Sequence, residues 1–137
     1  MTRLGKHCAR AAAVAGVLAA LGCGGGGGDI LAPFQPQVSA ATDNFQFQVT
    51  GLTGIDLTRD YAWPTTGTRV DVNQATQLTG GSATVTLYDA ANTQVYAHDL
   101  TANGTFQSSA GSTGTWRIRL NLVNARGNVN FRVQKHP

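Results

Sequence analysis

Glutamate is absent from this 137-residue chain, so all seven carboxylate side chains are aspartates. Lysine is scarce as well, with only Lys6 and Lys135. Both are among the best residues for a helix surface, and their absence argues against a fold built on amphipathic helices. Thr, Val, Asn and Gly dominate instead, a composition that favours strands and turns. No apolar run reaches the roughly 20 residues of a membrane-spanning helix. There is no Gly-x-Ser-x-Gly, no His-Glu-x-x-His and no phosphate-cradling glycine loop. The five glycines at 24–28 are not such a loop, since no strand precedes them. Beyond the N-terminal segment only His98 and His136 offer imidazole. His98 and Asp99 are adjacent, and neighbours on a strand point to opposite faces, so they form no dyad directly. The chain therefore reads as non-catalytic, with no cofactor and no metal centre expected.

The first 28 residues have the three parts of an export signal. Arg3, Lys6 and Arg10 are positive, residues 11–21 form an eleven-residue apolar run, and Leu21-Gly22-Cys23 ends it. Ala20-Leu21-Gly22-Cys23 resembles the lipobox of bacterial lipoproteins, with Ala20 where a larger aliphatic is usual. That resemblance implies cleavage after Gly22, lipid on Cys23, and a membrane partner reached through that lipid. It also implies a place in the bacterial cell envelope, with Gly24 pointing to the outer membrane. Cys8 would leave with the signal, so the mature chain would have one cysteine and no internal disulfide. The three signal cations also carry the whole net charge of +3. From Cys23 onward seven basic residues face seven aspartates and cancel, so no general attraction to nucleic acid is expected.

The expected organisation is a signal at 1–22, a lipidated and flexible Gly- and Pro-containing linker at 23–41, and one domain at 42–137. As a flexible coil, residues 24–40 would span roughly 20–25 Å. The domain is large enough for a modest core. Within it, apolar and polar residues alternate at Phe45/Phe47/Val49, Val70/Val72, Ala83/Val85/Leu87, Val95/Ala97, Trp116/Ile118/Leu120/Leu122 and Val129/Phe131/Val133. Such one-sided strands belong to antiparallel sheets with one wet face. With Gly104-Thr105-Phe106 as a shorter strand, the pattern predicts a small all-β antiparallel sandwich of seven to eight strands, of jelly-roll or immunoglobulin-like size. Two hairpins follow. A loop at Asn124-Ala125-Arg126-Gly127 sets Leu122 against Val129, Leu120 against Phe131 and Ile118 against Val133. A loop at 89–93 sets Leu87 against Val95 and Val85 against Ala97.

Three stretches, Val85-Thr86-Leu87-Tyr88-Asp89, Asn103-Gly104-Thr105-Phe106 and Gly114-Thr115-Trp116-Arg117-Ile118-Arg119, precede a closing Val129-Asn130-Phe131-Arg132-Val133. Together they resemble the closing half of pre-peptidase C-terminal and GOLD-type sandwiches. That resemblance implies an accessory or interaction domain, consistent with a non-catalytic envelope module.

Two features are candidate binding surfaces. Arg117, Arg119 and Arg132 fall on the wet face of the predicted last hairpin, with Arg119 directly opposite Arg132. A like-charge pair of this kind destabilises unless an anionic ligand, a partner protein, or an Asp from a neighbouring strand such as Asp71 neutralises it. Tyr61-Ala62-Trp63-Pro64, with Tyr88 and Tyr96 on an outward face, is the second. Loop aromatics stack on sugars, and Asp56 and Asp60 nearby offer hard oxygens for calcium. Alternatively, Trp63 caps one end of the core and the tyrosines cover a Thr-rich surface. An envelope protein or a glycan is the partner these features would take.

Overall fold

A computed structural model describes residues 29–137. Residues 29–32 close a turn of their own, in which the Ala32 amide donates to the Asp29 carbonyl at 3.0 Å and the Leu31 amide to Asp29 Oδ1 at 2.9 Å. The compact unit Pro33–Pro137 carries the sheet. Its strands are β1 (Gln37–Ala41), β2 (Asn44–Thr65), β3 (Val70–Gln74), β4 (Gln77–Tyr88), β5 (Gln94–Asp99), β6 (Gly104–Gln107) and β7 (Gly114–Lys135). Every pairing among them is antiparallel, as expected. The sheet begins at Gln37, inside the stretch expected to be linker.

Two strands of 22 residues, β2 and β7, run side by side through the whole unit. At about 3.3 Å per residue each would extend roughly 70 Å, about twice what a hundred-residue domain can accommodate. They bend instead. Register shifts fall between Val49 and Leu52, Thr53 and Ile55, and Ile55 and Leu57, the bulges that let a strand turn a corner. Gly51 (φ 72°) and Gly54 (φ 104°) supply backbone that other residues resist. The ring of Tyr61 consequently lies 5.5 Å from that of Phe45 and 5.9 Å from that of Phe47. In a straight strand Phe47 and Tyr61 would sit about 46 Å apart. One half of each long strand therefore lies over the other half.

The result is two facing layers. In the first, β1, residues 44–49 of β2, residues 129–135 of β7, β3 and β6 stand in that order; in the second, residues 52–65 of β2, residues 114–123 of β7, β4 and β5. Phe45, Phe47, Phe131, Val72 and Val133 from the first meet Trp63, Trp116, Ile118, Leu120, Val85 and Leu87 from the second, all buried. Phe47 stacks on Phe131 at 5.6 Å, and Trp63 meets Trp116 edge-on at 6.2 Å.

The last predicted hairpin is corrected. Residues 124–127 are not a loop but the bend of the continuous strand β7. Asn124 (φ 48°) and Gly127 (φ 118°) have the left-handed backbone of a tight turn, and that signature is shared by turns and bulges. Leu120 and Phe131 do face one another's side of the molecule, but across the core rather than along one sheet. The β4–β5 hairpin keeps its loop at 89–93 and changes register: Leu87 pairs with Tyr96 and Val85 with His98, through a shift at Tyr88. Asp89 explains the loop. Its carboxylate accepts from the amides of Ala91 (3.0 Å), Thr93 (2.8 Å) and Ser112 (2.8 Å).

Candidate functional site

The arginines expected on one face are on two. Arg119 pairs with Asp60 on β2 and with Thr86 on β4, whereas Arg132 pairs with Gln46 and Asn73 in the other layer. The like-charge opposition of Arg119 and Arg132 is therefore absent, because the predicted hairpin that produced it is a bent strand. Neutralisation within the chain comes from Asp60 rather than Asp71. Arg119 Nε donates to Asp60 Oδ1 at 2.8 Å and Nη2 to Oδ2 at 3.1 Å, a fork matched to a carboxylate. Arg117 Nε stands 3.7 Å from the same carboxylate, and its guanidinium lies 4.2 Å over the ring of Tyr88. Arg119 reaches the same ring at 5.5 Å. Asp60 is held below the usual carboxylate range first by the Arg119 hydrogen bond and then by the charges of Arg119 and Arg117. Asp71 instead meets His136 Nδ1 at 2.9 Å.

The aromatic feature is also corrected. Tyr61 and Trp63 lie in β2 rather than a loop. Trp63 is fully buried, its Nε1 donating to the Ala41 carbonyl at 2.8 Å. An indole without exposed face cannot stack on a sugar. Tyr61 is half-buried between the layers. Tyr88 faces outward as expected, but Arg117 covers its ring. Tyr96 faces inward: its hydroxyl donates to Gln74 Oε1 at 2.6 Å, and burial raises its pKa. Gln74 Nε2 in turn donates to the Asp99 and Ala102 carbonyls, both at 2.9 Å. This buried relay ties β3 to β5 across the layers, and no sequence signal marks Gln74 as its centre.

The calcium pair is not assembled. Asp56 Oδ1 accepts the Asn124 amide at 2.7 Å, while both oxygens of Asp60 are held by Arg119. Among the described residues no cluster of three or more His, Cys or Asp side chains is arranged to hold a metal ion. His98 lies against Tyr96 (5.4 Å) and Phe106 (4.2 Å), and Asp99 turns to the Thr101 amide and hydroxyl. Cys23 and its flanking signal lie outside the described residues.

The outer face of the first layer is a different surface. In register across its strands run Ser39, Gln46, Arg132, Asn73 and Thr105, and beside them Asn44, Gln134, Asp71 and Gln107. With Gln48 and Asn130 in the next row, it is amide-rich, with Arg132 and Asp71 the charged residues in these rows.

No family model and no curated protein matches this chain. Among solved structures, the accessory secretory protein 1, 2 and 3 assembly of Streptococcus pneumoniae contains a chain 12% identical, with TM-score 0.39, covering 82% of this chain and 91% of that one. A protein of infectious bursal disease virus strain Gt is 14% identical with TM-score 0.28, over 73% of this chain and 30% of that one.

Proposed function

We propose that this chain is a lipid-anchored protein of the bacterial cell envelope whose β-sandwich serves as a non-catalytic interaction or structural module. The anchor rests on the positive, apolar and Leu21-Gly22-Cys23 succession, followed at once by five glycines. The non-catalytic part rests on one observation: every aspartate accepts a contact that shapes the chain. Asp29, Asp89 and Asp99 cap turns, Asp56 and Asp43 hold distant backbone amides, and Asp60 and Asp71 pair with Arg119 and His136. Carboxylates so committed hold structure, whereas acid–base chemistry needs one poised toward a substrate. In cells given a clickable fatty acid, we expect label on the wild-type chain and none on Cys23→Ala. A free Cys23 thiol in the mature protein would sink the anchor.

A second reading, a glycan-binding accessory module, draws on the amide face. Each Gln or Asn offers two N–H donors and a carbonyl acceptor, matched to the hydroxyls of an uncharged polysaccharide. Thermal stabilisation by cell-wall fragments, lost in Gln46→Ala, is the expected sign. A flat response across the panel removes this reading.

A further inference from the structure

Asn-Gly occurs once in this chain, at Asn103-Gly104. The side-chain amide of an asparagine is open to attack at Cγ by the backbone nitrogen of the next residue, which closes a five-membered ring. A side chain on that next residue crowds the attack and narrows the backbone conformations that permit it, and glycine has none. The other asparagines of the described residues are shielded. Asn44, Asn73, Asn121, Asn124, Asn128 and Asn130 each precede a buried residue, respectively Phe45, Gln74, Leu122, Ala125, Val129 and Phe131. Asn92 precedes the β-branched Thr93, whose amide is already given to Asp89 Oδ1 at 2.8 Å.

Asn103 is exposed and ends the turn between β5 and β6, its amide donating to the Thr101 carbonyl at 2.9 Å. Gly104, with φ 139°, opens β6 and pairs with Gln74 at the last position of the β3–β6 ladder. β6 has four residues and, among the described residues, pairs with β3 alone. The end of so short an edge strand opens readily. One contact restrains the side chain. Asn103 Oδ1 accepts the Thr76 amide at 2.9 Å, and Nδ2 donates to the Thr76 carbonyl at 3.1 Å, as the backbone of a neighbouring strand would. Thr76 is itself buried and fixed to β7: its hydroxyl donates to the Asn130 carbonyl at 3.1 Å and accepts the Asn130 amide at 3.0 Å.

We propose that Asn103 is a site of spontaneous deamidation, guarded by its clamp to Thr76. When the clamp opens, the Gly104 nitrogen gives its proton to a solvent base and bonds to Asn103 Cγ. The Cγ–Nδ2 bond breaks, and Nδ2 leaves as ammonia with a proton from water. Water then reopens the cyclic imide at one of its two carbonyls. Cleavage of the new bond to Cγ restores the ordinary backbone with aspartate at 103. Cleavage at the Asn103 backbone carbonyl leaves isoaspartate, whose main chain runs through the former side chain. The sum consumes one water and releases one ammonia, with no oxidant or cofactor. Either product lacks the Nδ2 donor, so the Thr76 carbonyl loses its partner and the clamp cannot re-form. Isoaspartate also adds a carbon to the backbone entering β6. The change is one-way, and it puts a new negative charge on the exposed turn.

The test incubates the full chain in mildly alkaline buffer, native or unfolded in urea, and maps its peptides by mass spectrometry. Asn103 is expected to convert before any other asparagine, to a mixture of aspartate and isoaspartate. Because two hydrogen bonds must open first, conversion in the native chain is expected to be roughly tenfold or more slower than in urea. Earlier conversion of another asparagine in the native chain overturns the site. So does an Asn103 that stays intact in the native chain while the unfolded chain reacts to completion. Equal rates in the two states overturn the clamp. Asn103→Asp, which cannot donate to the Thr76 carbonyl, is expected to speed amide hydrogen exchange at 104–107 and to leave exchange in β7 unchanged. Unchanged exchange at 104–107 would also overturn the clamp, and should the variant misfold, the native and unfolded rates of the wild type decide. Neither readout depends on lipid at Cys23 or on a glycan, so this inference stands or falls apart from the proposed function.

Discussion

Trp63 shows how far a residue's identity can mislead about its place. Flanked by Tyr61 and Pro64, it has the composition of an exposed aromatic loop, yet it is fully buried against Trp116 with its N–H satisfied by Ala41. Its large apolar area makes it a principal contributor to stability. Trp63→Ala should therefore cost about 3–5 kcal/mol by equilibrium urea unfolding. A change below about 1 kcal/mol would mean that the indole is not packed as described. Asp60 carries the opposite lesson. Its partner Arg119 is 59 residues away, and no local pattern announces the pair, because Gly51 and Gly54 interrupt the alternation that would reveal a strand through residue 60.

At the scale of elements, the bends of β2 and β7 decide the architecture, and β4 is locked to the same corner. Gly81 (φ 74°) sits where an added Cβ would overlap the backbone carbonyl of Asn124. Gly81→Ala must both strain the backbone and push β4 away from β7, so a loss of about 3 kcal/mol or more is expected. Denaturant unfolding measures it, and near-neutral behaviour would mean that the corner is not closed by this contact. The Asp89 loop was legible as a turn, since Asp and Asn form such caps locally. The 124–127 bend was legible as a discontinuity but not as its kind. A hairpin and a bulged corner use the same Asn and Gly backbone, and only the pairing of both flanks with β2 distinguishes them.

For the whole molecule, pH dependence follows from the aspartates. Asp43, Asp60, Asp89 and Asp99 are each held below the ordinary carboxylate value: Asp60 first by Arg119, Asp43 first by the Thr66 amide, Asp89 by the Thr93 amide and Asp99 by the Thr101 amide. A depressed folded-state pKa contributes stability that is fully present above the unfolded value of about 3.9 and lost as pH falls through the folded values. The melting temperature should thus be level from pH 7 to about 5 and fall steeply below about 4. Asp89→Asn should lower the neutral-pH plateau and reduce the acid slope. A melt that is flat down to pH 2 would show that these carboxylates do not hold the fold.

Alternation of apolar and polar residues, with no glutamate and almost no lysine, was enough to specify antiparallel strands, one buried side, and an all-β class. Periodicity is a local property, and burial of one face acts on it directly. Which strands adjoin, where the sheet turns back on itself, and which Asp meets which Arg were decided by tertiary structure. Those choices depend on closing a core between residues dozens of positions apart.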